Sequence, residues 1–177
     1  AAELVLDDSL YPQIKDNFFG QRFTGGPSAQ NNGWETIRIG NSGISAQTIG
    51  AEIVGNYFEG DEGEAETISD KTQNNHIANN TFRDIRKGWV TACLGGGGTY
   101  ENNTFFNTLG LRVGNTDDQI PDHPGLTLSN NYLQGPNEKI LLPGYQTDVR
   151  IENNTVYNGT GTYQSETYTT GRYSLEY

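Results

Sequence analysis

The chain has 177 residues, the size of one domain, and its 11 basic against 22 acidic residues leave a net charge of −11. That balance excludes nucleic acid as a general partner, because phosphate binding needs a basic footprint. One cysteine, Cys93, and two histidines, His76 and His123, exclude an internal disulfide, a thiolate metal cluster and a three-histidine zinc site.

Leu, Ile, Val and Phe together number 37, enough for a thin, repetitive core. No apolar run approaches the roughly 20 residues of a membrane-spanning helix, so no membrane partner is expected. The opening Ala1-Ala2-Glu3 has the look of a mature end left by cleavage, and the expected compartment is secreted or periplasmic.

The 19 Asn residues recur in register. Residues 14–19, 53–58, 77–82, 100–105, 128–133 and 151–156 share one pattern: apolar, two variable positions, Asn, one position, apolar. Their central Asn falls at 17, 56, 80, 103, 131 and 154, in steps of 39, 24, 23, 28 and 23. A repeat near 23 residues with short β-compatible runs predicts a solenoid. No segment carries an apolar pattern at helical spacing, and the frame is not Leu-rich, which leaves an all-β parallel β-helix. Its turns would lie about 4.8 Å apart. Phe19, Phe58, Phe82, Phe105, Leu133 and Val156 are expected to form one interior stack. Ile14, Ile53, Ile77, Tyr100, Leu128 and Ile151 are expected to form another. Asn suits the bends, since it tolerates left-handed backbone and its amide can ladder between turns. The sequons at Asn79, Asn102, Asn153 and Asn158 need no glycan to account for them, three being part of the repeat.

A second set of strands is predicted at 36–40, 64–67, 89–94 and 110–113. Alternation would point Ile37, Ile39, Ala65, Thr67, Leu111 and Val113 inward, and Arg38, Glu64, Glu66 and Arg112 outward. Charges along one outer face suit a polymer-binding groove or a solvated surface. Trp34 and Trp89 lie near it, placed to stack on sugar rings or to pack under a loop. The run 95–98 of four glycines lacks a following Gly-Lys-Ser/Thr and is expected to be a flexible loop rather than a phosphate cradle. The domain is expected to span 1–177, with repeat turns over about 10–160 and a C-terminal cap over 161–177.

The run Gly63-Glu64-Ala65-Glu66-Thr67-Ile68-Ser69-Asp70-Lys71, followed by Asn79-Asn80-Thr81-Phe82-Arg83, resembles the core of polysaccharide lyase family 6, which contains alginate lyases and chondroitinase B. Asn32-Gly33-Trp34-Glu35-Thr36-Ile37-Arg38-Ile39-Gly40 resembles the family's preceding turn. The resemblance implies a right-handed parallel β-helix, here of about six turns, acting by β-elimination on a uronic acid polymer such as alginate. It implies calcium as cofactor, held by Asn32, Glu64 and Glu66, with Lys71 as catalytic base. Arg38, Arg83, Arg112 and Trp89 are the candidate substrate-binding residues. The partner would be an anionic polysaccharide and the protein a monomer. The family's Arg-His pair falls on Cys93 and Leu94, which predicts a partly exposed thiol beside Lys71. It also opens the alternative of a non-catalytic carbohydrate-binding β-helix.

Overall fold

The computed structural model describes residues 4–23, 33–114, 125–143 and 148–157, together with the strands at 164–165 and 173–176. The chain winds in coils, each contributing three short strands. The first coil carries β1 (Leu4–Leu6), β2 (Gln13–Lys15) and β3 (Phe18–Phe19); the second, β4 (Ile37–Ile39), β5 (Glu52–Val54) and β6 (Tyr57–Glu59). The third carries β7 (Glu66–Asp70), β8 (His76–Ala78) and β9 (Thr81–Arg83); the fourth, β10 (Trp89–Ala92), β11 (Thr99–Glu101) and β12 (Thr104–Phe106). The fifth and sixth add β13 (Gly110–Val113), β14 (Thr127–Ser129), β15 (Tyr132–Gln134), β16 (Lys139–Leu142), β17 (Val149–Glu152) and β18 (Thr155–Tyr157). Two further strands, β19 (Gln164–Ser165) and β20 (Tyr173–Glu176), continue the winding.

Every third strand pairs in parallel, giving two seven-stranded sheets and one of six. This is a parallel β-helix, as the repeat predicts. The third sheet aligns Phe19, Phe58, Phe82, Phe105, Leu133 and Val156 in one column. The rings of Phe19, Phe58, Phe82 and Phe105 stack 4.7–4.8 Å apart. The second sheet aligns the expected Ile14 to Ile151 column.

Asn does two jobs at the corner between these sheets. The residue just before each ladder position takes left-handed backbone: Asp16, Gly55, Asn79, Asn102, Asn130 and Asn153 have φ of 51–71°. The ladder residue then bonds along the axis. Asn80, for example, gives its Nδ2 to the Ile53 carbonyl at 2.8 Å and to Asn103 Oδ1 at 3.0 Å. Asn158 and most of 161–177 lie outside the described residues, and with them that sequon and the expected cap.

The first sheet departs from the expected register at one strand. Ile37 and Ile39 pair with Ile68 and Asp70, not with Ala65 and Thr67. A bulge between Trp89 and Val90 leaves Thr67 as an extra residue, so β7 begins at Glu66 and Ala65 is exposed. The glycine run also differs from expectation. Gly95, Gly96 and Gly98 are buried, because a Cβ at Gly95 or Gly98 would stand 2.7 Å from the carbonyl oxygen of Thr72 or Asn75. These glycines let one coil close on the next.

A candidate metal-assisted active site at one corner of the helix

The corner that leads from the third sheet into the first gathers the acidic residues. Residues 33–36 make this corner ahead of β4, and residues 60–65 make it one coil later, ahead of β7. Gly63 allows the two to touch, since a Cβ there would lie 2.6 Å from the Trp34 carbonyl oxygen. The Trp34 N–H donates to Glu64 Oε2 at 3.0 Å. Glu35 is fully buried and Glu64 is 8% exposed. Glu66 opens β7 opposite Trp89, with the Arg112 guanidinium 4.0 Å from its carboxylate.

One carboxylate oxygen from each of Glu35, Glu64 and Glu66 lies within 4.8 Å of the others. Both oxygens of Glu35 are buried with no hydrogen-bond partner among the described residues, a costly state for a carboxylate. Burial, reinforced by Glu35 and Glu66, pushes the Glu64 carboxyl up to about 7 against the pull of the Trp34 N–H and Lys71. Burial also raises Glu66, while Lys71 and Arg112 draw it down and Glu35 adds to the rise. Three carboxylates this close repel as anions, and a cation between them would satisfy both the charge and the orphaned oxygens. All three supply hard oxygen donors, which fit calcium.

Glu35 is the member that sequence reasoning missed. Its signal is in the repeat: Glu35 precedes Ile37 by two residues as Glu66 precedes Ile68, and those isoleucines pair. Asn32 lies outside the described residues. Lys71 directly follows β7, its N–H bonded to the Ile39 carbonyl at 2.9 Å, and its charge acts on both Glu64 and Glu66.

Arg38 and Arg112 fall in one outward column of the first sheet, separated by Ser69 and Thr91. Arg38 is paired with Asp7 at 2.9 Å. Trp89 lies beside this column, with the Lys139 ammonium 5.8 Å from its ring centre. Arg83 is placed elsewhere. It projects from the third sheet, 3.4 Å from Asp84, in an open cavity shared with Phe106, Asn107 and Gln134. Cys93 is a correction as well. Cys93 and Leu94 are 5% and 8% exposed, not lining an open groove. Strand β10 ends at Ala92, and the N–H groups of both Cys93 and Leu94 turn to the single Asp70 carbonyl, so strand alternation no longer governs them.

The model of the chondroitinase B family matches residues 5–120. Among solved structures, the chain is similar to a mannuronic-acid-specific polysaccharide family 6 lyase from human gut microbiota, at 25% identity and TM-score 0.70, over 93% of this chain and 43% of that one. It is also similar to the alginate lyase AlyGC of the same family, at 34% identity and TM-score 0.58, over 73% of this chain and 18% of that one. A mutant of AlyGC gives 33% identity over the same shares. No curated protein matches the chain. The chain thus spans less than half the length of these lyases. The family match covers well over half of the chain, on a helix of matching architecture, and the chain belongs to the chondroitinase B family, within polysaccharide lyase family 6.

Proposed function

We propose that this corner is a calcium-dependent lyase centre that cleaves a uronate polymer such as alginate by β-elimination. The observation that carries the reading is the fully buried Glu35, both oxygens unpartnered among the described residues, beside Glu64, Glu66 and the Lys71 charge. Glu35, Glu64 and Glu66 would hold calcium, with Asn32 supplying an amide oxygen. Bound there, calcium would neutralise a uronate carboxylate and stabilise the charge that develops on it.

Lys71 would serve as the general base that takes the proton alpha to the carboxylate. The electron pair left behind forms a carbon–carbon double bond as the glycosidic C–O bond breaks, and water protonates the leaving oxygen. Arg38 and Arg112, in one outward column, pair with further carboxylates of the chain, and Trp89 offers a ring face to a sugar. Polymers of this kind are met outside the cytoplasm, in keeping with a secreted or periplasmic protein.

The test is ultraviolet absorbance of unsaturated uronate products from alginate, chondroitin and dermatan, with and without calcium. The reading expects calcium-dependent product on one of them, reduced roughly a hundredfold or more in Lys71→Ala. A wild-type protein that yields no product on any polymer contradicts it. A second reading is a non-catalytic polysaccharide binder, in which neither Cys93 nor Leu94 can replace the family's arginine. Retention on an alginate gel without product would identify it.

A further inference from the structure

We infer that Thr36 and Asp61 form a positioning clamp that sets how the Glu35 and Glu64 corners face each other, and through that spacing the affinity of the carboxylate group for calcium. The inference rests on the calcium reading above.

Each end of the clamp is close to a glutamate in the chain. Thr36 follows Glu35, and its hydroxyl donates to Asp61 Oδ2. The other oxygen, Oδ1, accepts the N–H of Gly63, the residue before Glu64, at 3.1 Å. Arg22, from the coil before, grips the same point: its Nη1 donates to the Glu35 carbonyl at 2.9 Å and to Thr36 Oγ1 at 3.3 Å. Backbone bonds from Arg22 to Gly60 and from Glu62 to Arg22 close the corner. Two successive passes of the chain through this corner are therefore joined beneath the carboxylates.

Thr36 and Asp61 are 1% and 3% exposed, so neither meets a polymer directly. Asp61 is not part of the converging carboxylate group, and both its oxygens already accept hydrogen bonds. What the pair does is fix the main chain on either side of two candidate ligands. A cation of fixed radius needs its oxygens at set separations, so hydrogen bonds that orient ligands from behind change metal affinity roughly tenfold to a hundredfold.

The probe is terbium, a luminescent substitute for calcium excited through the neighbouring Trp34, with calcium affinity read by competition. The variants are Thr36→Val, Thr36→Ser and Asp61→Asn, each checked for fold by circular dichroism and for Tm without metal. The clamp predicts calcium binding roughly ten to a hundred times weaker in folded Thr36→Val, wild-type affinity in Thr36→Ser, and an intermediate loss in Asp61→Asn. A purely structural role would lower the metal-free Tm and leave the affinity of the folded variants at the wild-type value, which overturns the clamp while the calcium reading stands. Should Thr36→Val fail to fold, Asp61→Asn decides: wild-type affinity there overturns the clamp. Wild-type protein that binds neither terbium nor calcium overturns the calcium reading and the clamp together.

Discussion

Asp70 sits on the inward side of β7, where the other coils place Ile39 and Ala92, and it is 1% exposed. It survives there because Tyr100 Oη donates to it at 2.6 Å, Asn75 Nδ2 at 2.6 Å and the Thr72 N–H at 3.2 Å. Burial outweighs these donors and lifts its carboxyl from 3.8 to about 6. Below pH 3.8 the group is protonated folded or unfolded, and its ionisation costs folding nothing. As pH rises the unfolded carboxyl ionises first, stability falls, and above about pH 6 the penalty levels off at about 3 kcal/mol. Asp70→Asn should therefore flatten the fall in urea midpoint between about pH 4 and pH 8. A variant that retains the wild-type slope would place the titrating group elsewhere. Asp70 and Glu35 were both hard to read from sequence for one reason. A charged residue in a strand or corner looks solvated, and only the pairing partner shows that it faces inward.

The elements of this fold are columns rather than strands. In the third sheet, Phe82 stacks between Phe58 and Phe105, so Phe82→Ala opens a void with rings above and below. A loss of about 3–5 kcal/mol is expected in denaturant unfolding. A loss below about 1 kcal/mol would mean that the column collapses onto the gap. In the Asn column, Asn80→Ala strips the buried Asn56 N–H of its partner and takes one donor from the Ile53 carbonyl, at about 1–3 kcal/mol. Asn17, exposed at the end of the column, should cost under about 1 kcal/mol on the same change, because the Lys15 carbonyl it leaves is open to water. Equal losses at the two positions would show that the column does not act as a ladder. These columns were legible in the sequence, because Asn and Phe that recur once per coil must fall in line when the coils stack. The β7 register was not, since the bulge at Thr67 leaves no mark in the alternation of Glu64, Ala65, Glu66 and Thr67. Arg83 was named from the family run alone, and its place in the third sheet was not legible there. Its run matches the family, but the run spans two sheets that face different directions.

At the scale of the molecule, successive coils bring residues distant in sequence to one corner, and there the orphaned carboxylate of Glu35 converges with Glu64 and Glu66 beside Lys71. Binding to the folded form alone should raise the Tm with calcium concentration. The most direct measurement is calorimetric titration of calcium into the wild-type protein and into Glu35→Gln. One calcium per chain is expected, bound by the wild type and weakened at least about tenfold by Glu35→Gln in a protein that keeps its strand-rich circular dichroism. A wild type that takes up no calcium at millimolar concentration, or a Glu35→Gln variant that binds as tightly as the wild type, would contradict that expectation.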